Sequence, residues 1–434
     1  MSGHVGDLSE KQAAALDQFK RICSDLLTKD WHDDHYCLRW LRARNFNVEA
    51  SRNMLENSMD FRHRYRLDYI LDEFQPNEGI KAIFPGGTCG FDKQGGCVML
   101  YPFSNIVPAY FLEMTRRTQI IKMVMYRIEE SLPLLRAQSK KLGRNVESHT
   151  LILDVEGFDI MANISTAAIS VFMEIVRAYE SNYPETLSNA VVINAPPIFN
   201  IFLNMIKPLL NGSTLAKVKI YGKDLCRLEL SHQLIVSIFV NKVIIPHFIL
   251  LLPTLATDET QWKPALLEII DPDQLPVKYG GTRMGPGNDP LCEHKIAYIR
   301  KLNQEVVHSL LKLIPEEDRM RQITVDRRSC NDVPIRVLEI DAGLHVEFES
   351  EGHDVAFGLL RRTSSGECEE ILPTKRYHSH TGPVVLCIRC VIPGEYILHF
   401  DNTYSSLRSK HVSFNTRLIP AAKLNESMLF IHEP

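Results

Sequence analysis

The sequence predicts two architectures in series. An α/β domain, made of N-terminal helices and a mainly parallel sheet, comes first, and an all-β sandwich follows. Three observations carry this. Apolar residues recur at helical spacing from Ser9 to Arg66. Candidate strands alternate with helical stretches between Cys97 and Tyr221, which implies parallel pairing. Beyond about Gln322 the pattern becomes short alternating runs with glycine, proline and asparagine between them, the mark of an antiparallel sandwich. A chain of 434 residues also exceeds one ordinary core.

The elements follow in order. Ser9-Glu10-Lys11-Gln12 is a capping-box pattern. Leu16, Phe19, Ile22, Cys23, Leu26 and Leu27 then mark one helix face. Asn47 caps a second long helix whose buried side is Met54, Leu55, Ser58 and Phe61, so residues 9–66 form a helical region. Gly86-Gly87 and Gly95-Gly96 punctuate the passage into the α/β domain, placed at residues 75–285. Its expected strands are Cys97–Phe103, Thr150–Val155, Val191–Asn194 and Val218–Tyr221, with helices at Met114–Leu135 and Ala167–Tyr183. Pro286-Gly287-Asn288-Asp289-Pro290 opens a linker over 286–319. The sandwich, at 320–420, has expected strands Arg321–Asp326, Ile335–Ile340, Leu344–Glu349, Val355–Leu360, Val384–Cys390, Tyr396–Phe400 and His411–Leu418.

Composition narrows the function. Hydrophobic and charged contents of 45% and 24% are those of a soluble globular protein. A net charge of −4 gives no global drive toward nucleic acid. The N-terminal stretch lacks the pattern of a signal peptide, and ten scattered cysteines suggest reduced thiols, so a cytoplasmic protein is expected. No phosphate loop, nucleophile elbow, HExxH or dinucleotide fingerprint occurs, so no enzyme activity is expected. His32-Asp33-Asp34-His35 reads as a polar helix start. Cys387 and Cys390 lie three apart on a strand, facing opposite sides, with no second pair to complete a zinc site. No metal and no cofactor other than a bound lipid are expected.

The stretch Asn182–Gly222 is the most specific. A strand leads through Ala195-Pro196-Pro197 into a segment apolar on two faces. Ile198, Phe202, Met205 and Leu209 share one side; Phe199, Leu203, Ile206 and Leu210 lie on another. Asn200, Asn204 and Lys207 make the polar stripe. Periodicity alone leaves two readings open: a helix buried all round, or one that moves between two apolar environments.

Ordered motifs supply a resemblance. Tyr183-Pro184-Glu185-Thr186-Leu187, Asn194-Ala195-Pro196, Lys207-Pro208-Leu209-Leu210, Thr214-Leu215-Ala216-Lys217 and Leu275-Pro276-Val277-Lys278-Tyr279-Gly280-Gly281 resemble the Sec14/CRAL-TRIO lipid-transfer family. Leu38-Arg39-Trp40-Leu41-Arg42-Ala43-Arg44-Asn45-Phe46 matches its N-terminal helical region. Asp354–Gly358 and Gly394–Ser405 resemble a GOLD domain, and the pair of domains is similar to the animal supernatant protein factor, or tocopherol-associated protein, group. The resemblance implies that Glu185, Lys217 and Arg44 contact a phosphoinositide headgroup, although Asn45 stands where fungal members commonly carry lysine. A Glu185–Lys217 pair that merely ties sheet to helix is the plainer alternative. His149 and Leu151 replace hydroxyl residues associated with phosphatidylcholine, which points to another second ligand such as tocopherol, squalene or a related isoprenoid. The two-faced segment matches the family's gate helix, with Phe199, Phe202, Met205, Ile206, Leu209 and Leu210 on gate and cavity. Pro208 and Asn211-Gly212 end the moving unit.

The resemblance implies a lipid-binding and transfer protein. A diacyl lipid has roughly 30 chain carbons, each worth about 0.8 kcal/mol in leaving water, so a carrier needs an apolar cavity that closes. The expected partners are the lipid, transient peripheral contact with intracellular membranes, and a protein reached through the GOLD-like domain. The alternative is a lipid-sensing scaffold that reports occupancy to partners without transfer. Leu225–Glu259 departs from the family pattern. It reads as a translated intron or splice variant, a membrane-dipping loop, or a buried extra hairpin or helix; Lys242 sits near the middle of its apolar run, which is costly in a bilayer.

Overall fold

The computed structural model of the protein describes residues 1–76, 78–107, 115–158, 166–196, 199–222, 259–300, 304–315 and 319–432. The chain divides into two compact units, Met1–Phe111 with Ile121–His308, and Leu112–Ile120 with Ser309–Pro434.

Capping starts the first unit. The Ser9 hydroxyl accepts from the Gln12 backbone N–H, and Gln12 accepts in return from the Ser9 N–H, which opens α1 (Glu10–Ile22). Asp33 caps α2 (Asp34–Ala43) by accepting from the Tyr36 N–H, and His32 stacks on Tyr36. The stretch from His32 to His35 is thus a helix start. Asn47 caps α3 (Val48–Tyr65). Phe19, Leu38, Trp40, Leu41 and Leu55 join these three helices in one buried cluster. Two short helices follow, α4 (Ile70–Glu73) and α5 (Glu78–Ile83).

A five-stranded sheet then runs in the order β1 (Gly87–Phe91), β2 (Cys97–Pro102), β3 (His149–Asp154), β4 (Leu187–Ala195), β5 (Val218–Gly222). β1 pairs antiparallel with β2; the other pairs are parallel. Parallel neighbours need long crossovers. The helices α6 (Arg117–Leu142) and α7 (Thr166–Asn182) serve between β2 and β3 and between β3 and β4. Between β4 and β5 come α8 (Phe199–Ile206), a 3-10 turn at Lys207–Leu209, and α9 (Gly212–Ala216). α10 (Glu259–Ile269) closes the domain. Residues 223–258 lie outside the described residues, and with them nearly all of the atypical stretch.

The two faces of this sheet are covered unequally. Side chains alternate along a strand. On β3, Thr150 and Ile152 are fully buried and Asp154 nearly so, on the face where Ile152, Val98, Leu100, Val191 and Ile193 meet Trp262 and Leu266 of α10. Leu151 and Leu153 point the other way and are only partly buried, although β3 is the central strand. Residues 286–300 begin the stretch read as a linker. Cys292, Ile296 and Ile299 within it are nevertheless buried, and Cys292 and Ile296 join the core under α10.

The helix α11 (Gln304–Lys312) precedes a sandwich of two antiparallel sheets. One has the order β10 (Cys368–Tyr377), β9 (Val355–Arg362), β12 (Gly394–Asp401), β7 (Cys330–Val337). The other runs β14 (Phe430–His432), β11 (Val384–Cys390), β8 (Ala342–Ser350), β13 (Lys410–Ile419), β6 (Arg321–Val325). Phe348, Phe357, Phe400 and Phe414 form its aromatic core, with ring centroids 4.6–5.6 Å apart. β10 and β14 extend the strand set expected from sequence, and β7 begins earlier than expected.

Residues 115–120 cluster with this sandwich. Arg116, with a side chain 2% exposed, pairs with the equally buried Glu347 at 3.2 Å, and the Thr118 hydroxyl donates to Glu347 at 2.7 Å. Removing one partner of a buried ion pair leaves an uncompensated charge. Glu347→Ala should therefore destabilise the second unit by about 3–5 kcal/mol in chemical denaturation, and a joint replacement of Arg116 and Glu347 by apolar residues should cost much less.

Candidate functional site

The turn before β4 presents the first predicted site residue. Glu185 has φ +61°, the left-handed region that non-glycine residues seldom adopt. The turn is held on both sides. The Tyr183 phenol donates to Glu129 of α6 at 2.8 Å, and Arg62 of α3 pairs with the same carboxylate at 2.8 Å. The Thr186 hydroxyl donates to the Tyr183 carbonyl at 2.7 Å, and the His149 N–H donates to the Thr186 carbonyl at 2.8 Å. A strained residue persists only where its surroundings over-determine it.

Lys217 reaches the same place from the far side. It is the C-cap residue of α9, and its carbonyl accepts from the Ala190 N–H at 3.0 Å, which locks it to β4. Glu185 and Lys217 line one narrow cleft with Tyr179, Glu180, Asn211 and Thr214. Glu185 accepts from the Ser213 hydroxyl at 3.0 Å and lies 4.0 Å from Arg42 Nε. Among the described residues Lys217 makes no ion pair within 4.0 Å.

The third predicted residue stands apart. Arg44 is the exposed C-cap of α2 and donates to the carbonyl of Ala43. Arg42 takes the place beside the cleft, pairing with Glu147 at 3.0 Å. Sequence offered a signal for this: Arg42 lies on the last turn of α2, next to buried Leu41, whereas Arg44 lies past the helix end. Ser213 and Glu180 were also missed. Glu180 Oε2 accepts from the Asn211 side chain at 2.7 Å, while Asn211 Oδ1 accepts from the Thr214 N–H at 2.7 Å and so caps α9. Burial raises the Glu180 carboxyl above its ordinary range.

His149 opens β3 beside the cleft. It is 3% exposed and shares a hydrogen bond of 3.1 Å between Nε2 and the Tyr179 hydroxyl. Its Nδ1 has no partner among the described residues. Burial first, then the Lys217 charge, push the imidazole down to about 4.

At the other end of the strands sits the start of α8. Phe199 is buried with Val155, Val192 and Ala195, and Leu153 and Ile220 pack against them. Leu203, Ile206, Leu209 and Leu210 are partly buried, whereas Asn204 and Lys207 of the polar stripe are exposed; the side chain of its third member, Asn200, lies outside the described residues. The side chains of Phe202 and Met205 lie outside the described residues. His149 and Leu153 are four residues apart on β3, about 13 Å at the usual strand rise. The charged cleft and the apolar α8 cluster thus mark opposite ends of the same sheet.

The CRAL/TRIO domain profile matches residues 83–237, and the CRAL/TRIO N-terminal domain profile matches residues 15–57. Residues 83–237 of the first unit are thus similar to the CRAL/TRIO domain. This match ends inside the atypical stretch. The chain is 26% identical to the protein real-time of Aedes aegypti over 224 residues, 51% of this chain and 34% of that protein. It thus spans about a third of the length of that curated relative. The crystal structure of Sfh5 is similar with a TM-score of 0.48 and 14% identity, covering 70% of this chain and 98% of that one. The Yersinia pseudotuberculosis-derived mitogen is similar with a TM-score of 0.19 and 16% identity, covering 26% and 95%.

The buried His149 has a stability consequence. Its folded value lies below its ordinary 6.5, so the unfolded chain binds the extra proton between pH 6.5 and about 4. Its contribution is complete above pH 6.5 and is lost as pH falls toward 4, by about 3 kcal/mol at most. His149→Gln should reduce the acid-side slope of unfolding free energy by one proton in that window, measured by denaturation at several pH values. His32, which burial also holds down to about 4, keeps its own share of the slope.

Proposed function

We propose that the protein is a lipid carrier that encloses a hydrophobic ligand beneath α8 and exchanges it at membranes, with no chemical step. The unequal faces of the central sheet carry this reading. One face of β3 is sealed under α10, while Leu151 and Leu153 on the other remain partly accessible beside the α8 cluster. A central strand that leaves leucines open on one face favours an apolar ligand over a solid core.

The cleft favours a phosphorylated headgroup, as in a phosphatidylinositol-like phospholipid, with an isoprenoid lipid such as tocopherol or squalene as the other ligand class. Lys217 would hold a phosphate oxygen, and Glu185 would accept from headgroup hydroxyls. Arg42, already oriented by Glu147, is better placed than Arg44 to add positive charge. α8 acts as the gate, with Ile206, Leu209 and Leu210 joined by Phe202 and Met205 in meeting lipid. The Asn211–Glu180 bond fixes the end of the moving unit. We read the second unit as a GOLD-like adaptor for a membrane or protein partner, and the whole as a cytoplasmic protein that touches membranes transiently. No helix among the described residues is long and apolar enough to cross one.

Two measurements test this. Lys217→Ala should lower phosphatidylinositol loading about tenfold or more, as expected for a lost charge-assisted contact, and leave the melting temperature unchanged. Equal loading of variant and wild type refutes the headgroup role. Ile206→Asp combined with Leu209→Asp should abolish lipid transfer between vesicles, and undiminished transfer would sink the gate.

A further inference from the structure

The sandwich holds a side-chain cluster that lipid binding does not use. Cys330 and Asp332 alternate onto one face of β7, and β12 pairs with it antiparallel. His399 stands directly opposite Asp332, and Asp401 directly opposite Cys330. His399 Nδ1 lies 2.6 Å from Asp332 Oδ1. One ligand atom from each of Cys330, Asp332 and His399 falls within 4.8 Å of the others. Among the described residues no other group of three such side chains comes together in this way.

We propose that Cys330, Asp332 and His399 form a zinc site with three protein ligands and an open fourth position. The donor set decides the metal. Thiolate, imidazole and carboxylate together suit Zn²⁺, whereas calcium and magnesium require oxygen. Tetrahedral ligands at zinc distances lie about 3.3–3.6 Å apart, so the Asp332–His399 pair must open from 2.6 Å while the Cys330 thiol, within 4.8 Å of both, comes to the ion. Cys330 and Asp332 are exposed, so solvent surrounds them on the side where the ion would sit. Asp401 accepts from the Thr403 N–H at 2.7 Å, which turns one of its oxygens to the backbone and leaves the fourth position to water. β7 is the edge strand of its sheet and β12 is interior, so the ion fastens an edge to the centre.

Thiol exposure makes the site testable. Of the nine described cysteines, all free, only Cys330 and Cys368 are exposed. The reduced full-length chain is titrated with Co²⁺, which reports a thiolate ligand by a charge-transfer band and tetrahedral geometry by strong visible bands. Wild type should show both, and Zn²⁺ should bleach them. Cys330→Ser should abolish the charge-transfer band, and His399→Gln should weaken Co²⁺ binding about tenfold or more. Cys368→Ser should change neither. Zn²⁺ should also raise the melting temperature of wild type but not of Cys330→Ser. Absence of the band in wild type, its survival in Cys330→Ser, or its loss in Cys368→Ser overturns the proposal.

Discussion

Glu129 stands where three segments of the first unit meet. It accepts from the Tyr183 phenol and pairs with Arg62, so one buried carboxylate on α6 holds both α3 and the turn before β4. Burying that charge is tolerable because both partners answer it. The turn it fixes carries Glu185 in a left-handed conformation, and the backbone beyond it enters β4 in register with β3. The N-terminal helices, the sheet and the charged cleft therefore share one anchor. Loss of the anchor would free the turn and relax Glu185 at the same time.

The sheet gives that anchored frame two unlike faces. Its α10 face is packed to nearly zero exposure and gives rigidity. Its other face carries aliphatic side chains that the described residues cover only in part. The Glu185–Lys217 cleft lies where β3 and β4 begin, and on the face away from α10 apolar residues gather at the other end, around Phe199. Such polarity along a strand matches an amphipathic ligand lying parallel to it, headgroup at one end and chains at the other.

Much of this was legible in the sequence because burial and alternation coincide. Thr150–Val155 and Val191–Asn194 are interior strands, and their apolar runs show it. β10 was illegible for the converse reason. It is an edge strand whose Glu369, Glu370 and Lys375 are exposed and whose Pro373 is tolerated only where no partner needs its N–H. The first half of β7 hid in the same way, with Pro334 on another edge. Ordered motifs singled out Glu185 and Lys217, 32 residues apart, which no local pattern could join and which line one cleft in the fold. Arg44 failed to reach the cleft because a residue past a helix end leaves the helix face, while Arg42 stays on it. His149 looked like a mere departure from a hydroxyl pattern, yet it fills a buried position bonded to Tyr179.

In the proposed function, the first unit encloses one lipid. Native mass spectrometry of the full chain, after incubation with vesicles of mixed phospholipid and isoprenoid content, tests it most directly. A single lipid adduct per chain is expected, enriched in a phosphatidylinositol-like species over phosphatidylcholine. A chain that emerges lipid-free from every mixture, while remaining folded, would contradict it.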